Sequence, residues 1–292
     1  MTASAPHDPS TTSRVLVEAI PFIRRFSGSI VVVKLGGSAL NELGDSSPTL
    51  EGFAQDVVLA RSVGMLPVVV HGGGPQVSAL MERLGKSPEF RAGLRVTDAE
   101  TLDIARMVLV GKVNRDIVGA LNVHAPVAVG LSGEDAGFIR ATERDPELGF
   151  VGDISSVDPE LLRHLLHEGV VPVIATIASG PGRQTYNVNA DAVASAVAVS
   201  LKARKLIYLT DVNGVRGDAE DAASVLSRVS ADELQALIDD GTVSGGMVPK
   251  ARACIESVRG GVTAAHVLDG RVPHALLLEL FTESGVGTMV TT

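Results

Sequence analysis

The sequence predicts an α/β protein built on a mainly parallel central sheet, and three observations predict it. Short Val/Ile-rich runs recur along the chain, at Ile30–Leu35, Pro67–Val70, Val171–Ile177 and Lys205–Thr210. Strands buried on both faces read as continuous apolar runs of this kind. Stretches of helical period lie between them, and alternating strand and helix implies parallel strands joined by right-handed crossovers. The composition agrees: 45% of the 292 residues are hydrophobic but only 3% aromatic, so the core is aliphatic. That length suits one large domain or two closely joined lobes.

Taken in order, residues 1–12 are small and polar and read as a disordered tail. An interaction helix is expected over 13–28, with Val15, Leu16, Ala19, Ile20 and Ile23 at helical spacing. Pro21 should kink or interrupt it. A helix outside the main fold serves either packing or an oligomer contact. The fold proper starts at Ser29 with the strand Ile30–Leu35 and the loop Gly36-Gly37-Ser38. A helix over Thr49–Val63 ends at Gly64. The strand Pro67–Val70 leads into His71-Gly72-Gly73-Gly74-Pro75, with the proline in a helical first turn.

Thr97 and Glu100 have capping-box spacing ahead of a long helix through Leu109. A strand at Pro126–Leu131, a hairpin over Phe138–Asp153 and a helix opened by Asp158 and ended by Gly169 precede the strand Val171–Ile177. The second half repeats the alternation. It has a helix from Ala190 to Leu201, the strand Lys205–Thr210, a capping box at Ser230 and Glu233, and a helix near Lys250–Val258. Strands at Val262–Leu268 and Val286–Thr291 close the chain. The chain is expected to fall into two halves, 29–180 and 181–292.

The net charge of −9 argues against nucleic acid and anionic membranes as partners, though not against a locally positive site. One cysteine, Cys254, excludes a disulfide framework within one chain and disfavours a thiolate metal site. No metal ligands are assigned. The N-terminal residues lack the basic and apolar stretches of a secretory signal, and the apolar runs are too short to span a bilayer, so a cytoplasmic protein is expected.

Chemistry-bearing residues gather at the strand ends, where open parallel sheets hold their ligands. Lys34 ends the first strand beside Gly36 and Gly37; Gly72, Gly73 and Gly74 follow the second. Asn187, Asn189 and Asp191 lead into a helix, and Gly245, Gly246 and Met247 lead to Lys250. Glycines let backbone approach a ligand, and helix N-termini offer free N–H groups to anions. Two lysines on separate loops can grip a polyphosphate, with Asp191 as the carboxylate that holds both. Each feature alone has a plain structural reading: Asn189 as a helix cap, Asp191 as a first-turn acid, His71 as a core residue. Their succession at strand ends points to phosphoryl transfer. No P-loop, dinucleotide fingerprint, nucleophile elbow or protein-kinase loop is present.

Several segments carry a family resemblance. They are Val33-Lys34-Leu35-Gly36-Gly37, Val70-His71-Gly72-Gly73-Gly74-Pro75-Gln76, Gly93-Leu94-Arg95-Val96-Thr97-Asp98, Val129-Gly130-Leu131-Ser132-Gly133 and Tyr186-Asn187-Val188-Asn189-Ala190-Asp191, then Leu209 to Val215, Gly246 to Lys250 and His266 to Arg271. Across nearly the whole chain the sequence resembles the amino-acid kinase superfamily and, within it, the N-acetylglutamate kinases. The resemblance implies a three-layer α/β/α sandwich and transfer of a phosphoryl group from ATP, carried with Mg²⁺, to the γ-carboxylate of N-acetyl-L-glutamate. By similarity Lys34 and Lys250 stabilise the transferring group and Asp191 orients them. Gly73, Gly74, Arg95, Asn187 and Asn189 take the acceptor; Gly36, Gly37, Asp211, Val212, Gly214, Val215 and Met247 take ATP. Leu35 and Ser38 depart from the common pattern, which bears on the lid over the acceptor.

The stretch Glu18–Phe26 also resembles the helix that pairs dimers into hexamers in arginine-inhibited members. His266, Glu279, Gly285 and Gly287 resemble their arginine site. Inhibition by L-arginine in a hexamer built as a trimer of dimers is therefore expected. The competing readings are a kinase of the same fold acting on carbamate, aspartate or UMP, and an inactive arginine-sensing protein.

Overall fold

The computed structural model describes residues 8–36, 48–221, 223–282 and 285–292. Eight strands form the main sheet: β1 (Ile30–Leu35), β2 (Leu66–His71), β5 (Ala128–Ser132), β8 (Val171–Ala175), β11 (Lys205–Thr210), β12 (Arg228–Ser230), β13 (Ala264–Asp269) and β14 (Thr288–Thr291). Their order is β12-β14-β13-β11-β1-β2-β8-β5, and every neighbouring pair is parallel except β13 with β14. The seam between β1 and β11 separates strands drawn from the first part of the chain from those of the second, within one continuous sheet.

Strand period sorts the core into two layers. Val32, Val68, Val70, Ile174, Leu206, Tyr208 and Val267 belong to one buried cluster, while Val31, Val33, Val69, Val173, Ile207 and Leu268 belong to the other. On the first face pack α6 (Glu160–His167), α7 (Ala190–Ser200), α8 (Ala231–Asp239) and α9 (Met247–Arg259). On the second pack α2 (Pro48–Ser62), α3 (Gly74–Arg83), α4 (Ala99–Arg106), α5 (Asn114–His124) and α10 (Ala275–Phe281). This is the expected sandwich of helices about a mainly parallel sheet.

Four short strands, β6 (Ile139–Glu143), β7 (Val151–Val157), β9 (Ile177–Ser179) and β10 (Thr185–Val188), close into a small sheet beside it. A two-stranded hairpin joins β3 (Phe90–Arg91) to β4 (Leu94–Arg95).

Five expectations need correction. The N-terminal helix, α1, spans Pro9–Phe26, so residues 9–12 are helical rather than a tail. Asp8 caps it by accepting from the Ser10 N–H, and a proline in the first turn costs no hydrogen bond. The helix also continues through Pro21. The expected strand Val171–Ile177 divides at Thr176, whose carbonyl accepts from the Val188 N–H and so turns the chain into the small sheet. The cap of α4 is Asp98, which accepts from the Thr101 N–H at 2.8 Å. Thr97 instead is buried and donates to the Arg95 carbonyl at 2.9 Å, and Glu100 is held by Lys86. Finally, the long helix after it is not uniform. Between α4 and α5 lie seven residues of π-helix, Met107–Val113, a rare form that concentrates at functional sites.

Candidate active site

Lys34 sits on β1 at the same parity as Val32, so it points to the face that carries α7 and α9. Those two helices supply its partners. Asp191, in the first turn of α7, places Oδ1 2.9 Å from Lys34 Nζ and Oδ2 2.9 Å from Lys250 Nζ, which comes from the first turn of α9. Asn189 caps α7, its Oδ1 accepting from the N–H groups of Asp191 and Ala192 at 2.9 and 3.1 Å. Tyr208, buried on β11, donates its hydroxyl to the Asp191 carbonyl at 3.2 Å and sets its ring 5.2 Å from Lys250 Nζ.

Lys34 and Lys250 are buried, and the Asp191 carboxylate between them is largely so. Burial works against the Asp191 carboxylate, but the two ammonium groups outweigh it and hold its pKa at about 2. Burial also lowers the pKa of Lys34, with Lys250 acting the same way and Asp191 opposing both. The cluster is therefore one anion clamped by two cations, with a net positive charge in a chain that is acidic overall.

The glycine loops close on this cluster. A β-carbon on Gly36 would lie 3.5 Å from Lys34 Nζ and only 2.6 Å from the Leu209 carbonyl oxygen, so a side chain there would force β1 and β11 apart. Gly72 abuts Ala190, next to Asp191, with its β-position 3.6 Å from the alanine methyl. Gly73 caps α3 and Gly74 opens it. A β-carbon on Gly73 would meet Leu109 of the π-helical segment at 2.6 Å, whereas the same position on Gly74 faces open space.

Arg95 is buried yet has no carboxylate partner among the described residues. Its guanidinium donates to the Gly74 carbonyl and Ser78 Oγ, both at 2.8 Å, and lies 4.7 Å from the Phe90 ring centroid. Asn187 donates to Thr97 Oγ1 at 3.4 Å, and Thr97 in turn holds the Arg95 carbonyl. Thr97 thus ties together two of the residues expected to take the acceptor. It lies within a motif read from the sequence, but only as a cap.

On the other side of the seam, Asp211 is exposed, accepts from Thr210 Oγ1 at 3.1 Å and contributes to the field at Lys34. Val212 and Met247 are half-buried, Met247 three residues before Lys250 in α9. Gly214 has φ 144°, and its β-position would fall 2.6 Å from Thr288 Oγ1. Val215 is buried, with its N–H donating to Thr288 at 2.8 Å, so it secures the loop to β14. Gly37 and Ser38 lie outside the described residues.

A second cluster forms near the C-terminus. Glu279 Oε1 lies 2.9 Å from His266 Nδ1 and 2.7 Å from Lys205 Nζ. Gly285, at φ 55°, comes so close that a β-carbon would meet Glu279 Oε2 at 2.7 Å; Gly287, at φ 83°, crosses the Val267 carbonyl. Burial opposes the Glu279 carboxylate, but His266 and Lys205 outweigh it and bring its pKa to about 2. Lys205 also lies 5.2 Å from the ring of Phe26 at the end of α1. Neither Lys205 nor Phe26 carried a local sequence signal for this cluster, because both arrive by tertiary packing.

Residues 29–269 match the family model for the amino acid kinase family. The chain belongs to the amino acid kinase family. Its relatives include an acetylglutamate kinase from Symbiobacterium thermophilum, 53% identical, covering 94% of this chain and 96% of the relative. Another is an acetylglutamate kinase from Acidothermus cellulolyticus, 52% identical over 94% and 95%. Among solved structures it is similar to the N-acetylglutamate synthase of Neisseria gonorrhoeae complexed with coenzyme A and L-arginine. That match has TM-score 0.81 and 29% identity, covers 96% of this chain and spans 65% of the synthase chain. Carbamate kinase from Giardia lamblia, at TM-score 0.69 and 19% identity, shares the fold.

For a kinase of this family, the clamp makes a graded prediction. Lys34→Met leaves Asp191 paired with Lys250, and kcat should fall about 10³-fold with the fold retained, as when one preorganised donor is lost. Asp191→Asn leaves two buried ammonium groups without their anion and should cost roughly 3–5 kcal/mol of stability in urea unfolding. Near-normal kcat for Lys34→Met, or near-normal stability for Asp191→Asn, would contradict the clamp.

Proposed function

We propose that this kinase transfers the γ-phosphoryl group of ATP to the side-chain carboxylate of N-acetyl-L-glutamate, giving ADP and N-acetyl-L-glutamyl 5-phosphate in arginine biosynthesis. The observation that carries the reading is the Lys34–Asp191–Lys250 clamp at the converging ends of β1, α7 and α9. It is supported by relatives named acetylglutamate kinase at about half identity over nearly the whole chain. A carboxylate acceptor is already ionised at neutral pH, so no general base is needed. The demand is for positive charge where the transferring group gathers negative charge, and for exact placement of donor and acceptor. In this reading the two lysines flank the transferring phosphoryl group, and Asp191, ionised down to a pH of about 2, holds them in register.

The acceptor half spans 29–180 and the nucleotide half 181–292. The fork of Arg95 binds the acceptor's α-carboxylate, with Asn187 beside it and Gly73 and Gly74 offering backbone N–H groups. Asn189, whose side-chain oxygen is occupied as a cap, acts by fixing Asp191. Asp211, Val212, Gly214 and Met247 border ATP, with Val215 securing their loop and Gly36 and Gly37 beside the phosphates. Mg²⁺ enters as part of the nucleotide substrate, held by phosphates and water. The setting is cytoplasmic.

L-Arginine as a feedback inhibitor belongs to the same proposal. A groove of about 1510 Å³ lies between α1 and the C-terminal segment, lined by Phe22, Lys205, Glu279 and Gly285. Glu279 offers it a carboxylate whose pKa of about 2 keeps it ionised near neutral pH, with His266 behind and Gly287 shaping the turn. The exposed Val15, Leu16 and Val17 of α1 suit the pairing of dimers into a hexamer.

Two measurements test these readings. ADP release with Mg-ATP should be strong with N-acetyl-L-glutamate and at background with carbamate, aspartate, UMP and glutamate; preference for another acceptor would overturn the assignment of Arg95 and Asn187. Deleting residues 1–27 should preserve turnover but raise the arginine concentration for half-inhibition by about tenfold or more, a common coupling energy between sites. Unchanged inhibition would remove α1 from the regulatory account.

A further inference from the structure

His71 ends β2 at the parity of Val69, so it points away from Lys34 and toward the face that carries the π-helical segment. Its ring is fully buried. Nδ1 lies 2.8 Å from the Gly72 carbonyl oxygen, and Nε2 lies 3.0 Å from Asn114 Nδ2. Asn114 is the first residue after the π-helical segment and is also fully buried. Its Nδ2 donates to the Val173 carbonyl at 2.9 Å, and its Oδ1 accepts from the Arg115 guanidinium.

These partners fix the chemistry of the ring. A carbonyl only accepts and a guanidinium only donates, so the amide of Asn114 can be oriented in one way. Its NH₂ group then faces His71, and Nε2 must accept. The ring is therefore neutral, with its proton on Nδ1, and donates to the Gly72 carbonyl. Burial favours the same neutral form, lowering the pKa to about 4. The relay thus runs from Arg115 through Asn114 and His71 to the peptide between Gly72 and Gly73.

We propose that His71 and Asn114 are positioning residues for phosphoryl transfer, which lock the Gly72 carbonyl and so aim the backbone N–H groups of Gly73 and Gly74 at the reacting groups. The inference rests on the proposed role of that loop. Gly72 has no side chain to hold its peptide, and the N–H groups opening α3 lack intrahelical acceptors and are available to an anion. The π-helical segment fits the same purpose: it ends where Asn114 must reach His71, and its Leu109 packs where only Gly73 leaves room.

The first test reads the relay alone. In ¹⁵N-histidine NMR of the full-length protein at neutral pH, His71 should be the neutral tautomer protonated on Nδ1. A proton on Nε2, or an imidazolium, would overturn the proposal. The second compares two variants. His71→Asn keeps a donor at the Nδ1 position for the Gly72 carbonyl, while His71→Gln keeps only the contact toward Asn114. With whichever acceptor the wild type turns over, His71→Asn should hold kcat within roughly tenfold, and His71→Gln should lose about 10²-fold, the effect of an ångström's misplacement. Thermal midpoints of the two should match and KM values should stay within about threefold, so that the loss lies in the transition state. Equal kcat in the two variants, or a loss that follows the thermal midpoint, would assign His71 to packing and overturn the proposal. Because the tautomer is read without substrate, its failure is distinguishable from a wrong acceptor.

Discussion

One largely buried carboxylate between two buried ammonium groups sets the terms for the rest of the molecule. Three charges cannot leave water unless each finds a partner at hydrogen-bond distance, and Asp191 meets both lysines at 2.9 Å. That distance requires β1, α7 and α9 to be held in one fixed arrangement. The sheet provides it: Lys34 reaches the correct face because strand period puts it there, and Tyr208 on the neighbouring strand braces both Asp191 and Lys250. The glycines are consequences of the same convergence. Where β1 turns past β11, a β-carbon at Gly36 would collide with the Leu209 carbonyl, so the residue beside Lys34 can only be glycine without opening the sheet.

The arrangement also explains how an acidic chain can act on anions. The chain carries a net charge of −9, yet the clamp leaves one positive charge in excess, and Arg95 adds another with no carboxylate partner among the described residues. In a poorly hydrated site these fixed charges act more strongly than they would in water. The two faces of the sheet divide the labour. One face carries the clamp, and the opposite face carries His71, Asn114 and the π-helical segment beneath the glycine loop.

Much of this was legible in the sequence wherever the signal is local. The strand Lys205–Thr210 falls where its apolar run puts it, and the Ser230–Glu233 capping box forms as its spacing requires. The strand-end position of Lys34 and the helix-start positions of Asp191 and Lys250 follow from the order of elements read in the sequence. The illegible features are those decided by distant partners. Nothing in the residues Met107–Val113 announces a π-helix. Thr97 looks like a cap by spacing, yet Arg95 and Asn187 claim its hydroxyl and leave the cap to Asp98. Thr176 divides an apolar run because Val188, twelve residues later, takes its carbonyl. Asn114 gave no hint of contact with His71, 43 residues earlier.

The central claim, that one aspartate holds two lysines on either side of a transferring phosphoryl group, is tested most directly by a crystal structure with ADP, aluminium fluoride and N-acetyl-L-glutamate. The account predicts Lys34 Nζ and Lys250 Nζ both within hydrogen-bond distance of the fluoride ligands, with Asp191 still bridging them. A transition-state mimic bound with either lysine turned away, or with Asp191 released from one of them, would contradict it.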